Sequence, residues 1–267
     1  MQEYVEAAVA AARRAGAIQL ARLEREHDVK LKSVSNLVTE VDLECERAIL
    51  DFLGSRFPDH SFLAEEGGET RPGSDYLWIV DPLDGTTNYA HRLPRFCVSI
   101  GLAVKGRAVA GVVYNANADE LFCASRGQGA FLNGRRIRVS AVAKVADALI
   151  CTGFSYDRGK RLGRDLAVYT RVLPEAQSMR RDGCAALDLC DVACGRFDGF
   201  WEFNLNAWDV AAGCLLIEEA GGKWSGVRGE PVDLYAREFL GTNGRIHDEM
   251  LRIMKVGESE INLSGER

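Results

Sequence analysis

Long apolar runs, a basic surplus, proline and paired cysteines are all scarce in this sequence of 267 residues. No stretch approaches the roughly 20 consecutive apolar residues that a membrane-spanning helix needs. The start, Met1-Gln2-Glu3-Tyr4, lacks the basic opening of a signal peptide, so a cytoplasmic protein is the expectation. Thirty-three Lys and Arg against 39 Asp and Glu leave a formal charge of −6. Clustered cations drive binding to phosphate backbones and anionic surfaces, so this balance argues against a nucleic-acid polymer or a membrane as partner. The one basic cluster, Arg135-Arg136-Ile137-Arg138, is too short to reverse it. Four histidines (27, 60, 91, 247) form no HExxH spacing, and eight cysteines (45, 97, 123, 151, 184, 190, 194, 214) form no CxxC pair. Zinc ribbons, thioredoxin-type redox pairs and histidine-held zinc therefore have no signal. The thiols read as small buried side chains of a reducing compartment, which leaves oxygen as the donor for any metal. Six prolines beside 27 glycines describe a packed chain with many tight turns rather than a disordered one.

What is present falls into two patterns. Val5, Ala8, Val9 and Ala12, continuing through Ile18 and Leu23, have the spacing of an amphipathic helix. A second helix is expected from about Thr39 to Phe57, with Pro58 beyond its end and Thr39-Glu40-Val41-Asp42 as a capping box. Tyr76 to Val80 reads as a buried strand delivering its end to Asp81, and a meander of strands from Phe96 to Val139 closes through the turn pair Asn133-Gly134. From about Asp147 strands and helices alternate: strands near Ala148 to Cys151, Gly199 to Phe203 and Phe239 to Gly241, with helices near Leu162 to Leu173, from Gly183, from Trp208 to Ala220 and through Ile253. This predicts a mixed α/β (α+β) protein: an antiparallel-sheet lobe over 1–146 and an α/β lobe over 147–267, joined as one continuous catalytic unit. The polar tail from about Gly257 is expected to fray.

The chemistry concentrates in Trp78-Ile79-Val80-Asp81-Pro82-Leu83-Asp84-Gly85-Thr86-Thr87-Asn88. Pro82 fixes one torsion and Gly85 permits a sharp turn, so Asp81 and Asp84 can face one point, while a helix start at Thr86 offers free N–H groups to a phosphate. Ala64-Glu65-Glu66-Gly67-Gly68 and Trp208-Asp209-Val210-Ala211-Ala212-Gly213 supply further carboxylates. Taken singly, Asp-Gly can be a turn, Asp42 and Asp209 can cap helices, and Glu65-Glu66 can be a solvated pair. Taken together they repel: two like charges about 4 Å apart cost about 4 kcal/mol at an effective dielectric of 20. Such a cluster needs cations, and hard oxygen donors suit Mg²⁺. An EF-hand loop from Asp81 fails because Leu83 and Gly85 occupy ligand positions. A haloacid-dehalogenase-type phosphatase, suggested by Asp-Gly-Thr, fails because Pro82 stands where its nucleophilic Asp would be.

The set Leu37-Val38-Thr39-Glu40-Val41-Asp42, Glu65-Glu66, Asp81-Pro82-Leu83-Asp84-Gly85-Thr86-Thr87-Asn88 and Trp208-Asp209-Val210-Ala211-Ala212-Gly213, followed by Glu219-Ala220-Gly221-Gly222, resembles the inositol monophosphatase family over nearly the whole chain. The resemblance implies a layered α-β-α-β-α sandwich, a homodimer, sensitivity to Li⁺ and two or three Mg²⁺ ions per site. It implies that Glu65, Asp81 and the Leu83 carbonyl hold a first metal, that Asp81, Asp84 and Asp209 hold a second, and that a third leans on Glu65. Asp42 and Thr86 would then orient and deprotonate the water, with Glu66 behind the ligands. Gly85 and Thr86 N–H groups would hold phosphate, and Asp84, Gly183, Cys184, Ala185, Glu202 and Asp209 would contact the rest of the substrate. Cys184 departs from the family, which has a small hydroxyl residue there, and Asn206 lies in a variable stretch that shapes the pocket. Lys32 is left unassigned. The implied reaction is hydrolysis of a small phosphate monoester, foremost myo-inositol 1-phosphate. The alternatives are histidinol phosphate, fructose 1,6-bisphosphate, an adenosine 3′,5′-bisphosphate, or a non-catalytic binding protein on the same fold.

Overall fold

Small side chains make the first layer possible. The buried positions of α1 (Gln2–Arg22) are mostly alanine, so the helix lies close to its neighbours. The computed structural model describes residues 1–25, 30–31, 37–154, 162–231 and 233–255, so Lys32 and the tail from Gly257 lie outside the described residues. A short antiparallel pair, β1 (Lys30–Leu31) and β2 (Leu37–Val38), leads to α2 (Glu40–Arg56). As the sequence predicts, Thr39 caps α2 and Asp42 closes the capping box.

The chain continues through β3 (Ser61–Ala64), β4 (Gly68–Thr70), β5 (Tyr76–Asp84), the five-residue α3 (Thr86–Ala90), β6 (Cys97–Val104), β7 (Arg107–Asn115), β8 (Glu120–Ser125), β9 (Gly129–Leu132) and β10 (Arg135–Arg136). These strands form one sheet in the order β10-β9-β8-β7-β6-β5-β3-β4. Asn133 and Gly134, both at positive φ, make the two-residue turn between β9 and β10. After them come β11 (Leu149–Thr152), α4 (Leu162–Val172), β12 (Ser178–Arg180), α5 (Ala185–Ala193), β13 (Gly199–Phe203), α6 (Ala207–Glu219), β14 (Lys223–Ser225), β15 (Glu238–Thr242) and α7 (His247–Ile253). Their strands build a second, mixed sheet in the order β12-β11-β13-β15-β14.

Three cores stack these elements into alternating layers. One joins α1 and α2 to the first sheet, one packs α5 and α6 between the two sheets, and one joins the second sheet to α4 and α7. The result is the expected α-β-α-β-α order. No helix among the described residues is long and apolar enough to cross a membrane.

Two sequence expectations change. The strand read over 76–80 runs on through Pro82 to Asp84, with a register shift between Asp81 and Asp84. Proline has no N–H for a ladder, and an irregularity is where a strand tolerates one. The first sheet is also not wholly antiparallel. Because β4 folds onto the outer edge of β3, the chain returns on the inner side and β5 runs parallel to β3.

Candidate active site

Gly85 turns the end of β5 into α3. Its φ of +88° is open to glycine without steric cost, and a Cβ here would lie 2.8 Å from the Arg95 carbonyl oxygen. The turn leaves Asp81 buried and Asp84 half-buried on a shared irregularity, with the Leu83 N–H donating to Asp81 Oδ1 at 3.0 Å. Thr86 Oγ1 lies 3.0 Å from Asp42 Oδ1 and 3.0 Å from the Leu83 carbonyl oxygen, so its single proton serves one acceptor at a time. The other Asp42 oxygen accepts from the Thr39 N–H at 2.9 Å and its hydroxyl at 2.5 Å. Burial pushes the Asp42 carboxyl up, against these hydrogen bonds.

Asp209 reaches the same region from α6, where small residues allow a tight wedge. A Cβ on Gly111 of β7 would lie 3.0 Å from Ala212 Cα, and one on Gly213 would lie 2.6 Å from the Leu189 side chain of α5. The Ala211-Ala212-Gly213 run therefore seats α6 between the first sheet and α5, while the Asn206 N–H donates to Asp209 Oδ2 at 2.6 Å. Glu65 follows the end of β3, and its N–H donates to the Val80 carbonyl at 3.2 Å, which ties it beside Asp81. Its neighbour Glu66 donates its N–H to Glu46 Oε2 at 2.9 Å.

The electrostatics make these acids one group. Asp81 and Asp209 are pushed well up, first by burial and then by each other's neighbours, with Glu65 contributing to both. Burial pushes Asp84 up to about 6, opposed by the Ala186 N–H at 2.7 Å and the Cys184 thiol at 3.2 Å from its Oδ2. Among the described residues, no three of the carboxylates Glu65, Asp81, Asp84 and Asp209 bring oxygens within 4.8 Å of one another. Asp84 instead groups at that spacing with Cys97 and Cys184, a sulfur neighbourhood that the sequence reading did not expect.

Glu202 on β13 faces the group from the second sheet. Burial pushes its carboxyl well up, followed by the charges of Asp188, Asp209 and Asp84. It occupies the space a side chain on Gly153 would take, since a Cβ there would fall 2.1 Å from Glu202 Oε2. Gly183, Cys184 and Ala185 lead into α5, with Cys184 as its N-cap.

Several residues to which the sequence reading gave no role join these parts. Asn88 Nδ2 donates to the carbonyls of Arg95 at 2.8 Å and Asp182 at 2.9 Å, bonding the loop after α3 to the one before α5. Arg95 Nη2 donates to Asp188 at 2.5 Å and Asp191 at 2.9 Å, and its Nε lies 3.3 Å from Asp182. Gln19 of α1 donates to the Pro82 carbonyl at 3.0 Å and accepts the Tyr89 hydroxyl at its own carbonyl at 2.7 Å, which backs the β5 irregularity. Asn88 stands within the motif read from sequence; Arg95, Asp188 and Gln19 become visible only through the fold.

Residues 1–257 match the profile of the family described as the inositol monophosphatase family. The chain is 43% identical over 252 residues to an inositol-1-monophosphatase of Synechocystis, covering 94% of this chain and 88% of the relative. It is similar to the crystal structure of the extragenic suppressor protein SuhB from Bartonella henselae, with TM-score 0.91 and 41% identity, covering 96% and 99% of the two chains. It is also similar, with TM-score 0.85 and 26% identity, to an IMPase/NADP phosphatase complexed with NADP and Ca²⁺, covering 96% and 97%.

Proposed function

Because the chain belongs to the inositol monophosphatase family and is a phosphoric monoester hydrolase, we propose that its substrate is myo-inositol 1-phosphate and its metal Mg²⁺. The observation that carries the metal reading is Asp81: it is buried, and burial, Glu65, Asp84 and Asp209 all raise its proton affinity, so its ionised form calls for a nearby cation. The donor set fits a hard cation, since Glu65, Asp81, Asp84, Asp209 and the Leu83 carbonyl offer only oxygen. Glu65, Asp81 and Leu83 would hold one ion, Asp81, Asp84 and Asp209 a second, and Glu65 a weaker third. Bound there, Mg²⁺ supplies charge neutralisation for the phosphoryl group and acidifies a coordinated water.

The chain's own residues do the positioning. Thr86 donates its hydroxyl proton to Asp42 Oδ1, which frees a Thr86 lone pair to accept from the attacking water. Asp42 is the final acceptor of that proton; its raised proton affinity suits the task. The N–H groups of Gly85 and Thr86 receive phosphate oxygens. Glu202 and Asp209 accept hydroxyls of the alcohol, and the Gly183-Cys184-Ala185 segment lines its ring. Glu66, anchored by Glu46, keeps Glu65 oriented. The lobes 1–146 and 147–267 would act as one catalytic unit, in a cytoplasmic homodimer.

The test is phosphate release from myo-inositol 1-phosphate, histidinol phosphate, fructose 1,6-bisphosphate and adenosine 3′,5′-bisphosphate, each with and without Mg²⁺. The expected result is Mg²⁺-dependent release with the highest kcat/KM on the inositol ester. A higher kcat/KM on another ester would overturn the alcohol, and turnover after complete metal removal would overturn the cation.

A further inference from the structure

Beside the oxygen donors lies a second, softer set. Cys97 opens β6 and Cys184 caps α5; both are buried, and their sulfurs stand 3.7 Å apart. Cys184 Sγ is 3.2 Å from Asp84 Oδ2 and 3.5 Å from the Asp84 carbonyl oxygen. The sheet sets this arrangement, because Asp84 is the cross-strand partner of Cys97 and the Ala186 N–H fixes Asp84 Oδ2 from α5.

These separations are close to the edges of a metal tetrahedron. With metal–sulfur bonds of about 2.3 Å and metal–oxygen bonds of about 2.0 Å, two sulfurs sit about 3.8 Å apart and sulfur and oxygen about 3.5 Å apart. The distances present, 3.7 and 3.2 Å, differ from these by a few tenths of an ångström. A disulfide would instead need the sulfurs to close to about 2.0 Å.

We propose that Cys97, Cys184 and Asp84 form a site for a thiophilic divalent cation of the zinc class. Occupying the site would take Asp84 from Mg²⁺ and inhibit the phosphatase; this effect rests on the reading of Asp84 as a Mg²⁺ ligand, whereas the existence of the site does not. As the ion binds, each thiol gives its proton to solvent and two metal–sulfur bonds replace two S–H bonds, with no electron transfer. The Cys184 hydrogen bond to Asp84 is replaced by a metal–oxygen bond. One carboxylate with two neutral thiols carries the same net charge as one carboxylate, two thiolates and a divalent ion, so binding adds no net charge to an acidic interior. Mg²⁺ avoids sulfur, which keeps the two donor sets selective. The other trio of this kind among the described residues, Cys151, Asp182 and Asp188, already faces Arg95 through both of its carboxylates.

The test is titration of the full chain with Cd²⁺ in excess Mg²⁺, followed by the ultraviolet thiolate-to-cadmium charge-transfer band. The wild type is expected to give a stoichiometric band that Cys97→Ser and Cys184→Ser each lose and the remote Cys194→Ser keeps. Phosphatase activity, scaled to each variant's own cadmium-free rate, should fall at a Cd²⁺ concentration at least about tenfold lower in wild type than in Cys97→Ser. An undiminished band in folded Cys97→Ser overturns the site. If neither variant folds, X-ray absorption of the zinc-loaded wild type decides: two sulfurs in the first shell support the site, and none overturns it. A protein inactive on every ester would defeat the proposed substrate while leaving the charge-transfer result to stand alone.

Discussion

Two groups of buried or half-buried carboxylates flank Cys184, and they differ in how closely a side-chain cation approaches them. Asp182, Asp188 and Asp191 surround the Arg95 guanidinium, which is attached to the chain and always present. Glu65, Asp81, Asp84 and Asp209 gather at the end of β5, where burial is the leading influence on the three aspartates and the charges of neighbouring acids add to it. Both groups carry a desolvation cost, and an ion pair offsets it only when its partner is in place. The residue type is the same; on the proposed reading, what separates a structural brace from a metal site is whether the counter-charge is covalently supplied or drawn from solution.

Each term of this contrast can be broken. The largest effect is expected from Asp81→Asn, which should lower phosphate release at saturating Mg²⁺ by at least about a thousandfold, or about 4 kcal/mol; near-normal turnover would remove Asp81 from the reactive group. Arg95→Met should cost about 3 kcal/mol in denaturant unfolding, because it leaves the buried Asp188 carboxylate without its guanidinium partner, while Asp191 keeps Arg196. A loss below about 1 kcal/mol would mean that the brace is not needed. Mg²⁺ at about a hundred times its dissociation constant should stabilise the wild type by about 2.7 kcal/mol, and Asp81→Asn by much less. Equal stabilisation of both would show the ion binding elsewhere.

The smallest effect is in pH. Asp84 is raised to about 6 from the ordinary 3.8, so in the metal-free protein its favourable contribution is full below 3.8 and is lost as pH rises through 6. Metal and proton compete for the same oxygens. The Mg²⁺ concentration for half-maximal activity should therefore rise as pH falls through about 6, by at most about tenfold per unit for one site. A flat dependence between pH 5 and 7 would uncouple Asp84 from the metal.

The gathering of acids at the end of β5 was legible in sequence because its residues sit in short, dense runs: Asp81 to Asn88 on one turn, Asp209 at one helix start. Thr39 and Asp42 were legible as a cap because capping is local, set by positions three apart. The brace was not, because Arg95 meets Asp188 across 93 positions of chain and no local pattern records that meeting. The strands β4, β12 and β14, three residues each, are too short to display a period. The strand read over Tyr76 to Val80 falls short of its end at Asp84 because the apolar run stops at Val80, whereas the ladder to β6 resumes beyond an irregularity that a local pattern does not record. Cys123 and Cys194 are half-buried rather than buried like the other six thiols, a difference that composition does not carry.

The contact between Gly153 and Glu202 bears on how such a pocket can change through descent. The space is shared: a Cβ at 153 would fall 2.1 Å from Glu202 Oε2 and would force the carboxyl to shift. An alanine arising first at 153 displaces the carboxyl without altering position 202, whereas the same alanine arriving after Glu202 has shortened meets no obstacle. The two positions therefore have a preferred order of substitution, in which a shorter side chain on β13 precedes a larger residue at 153.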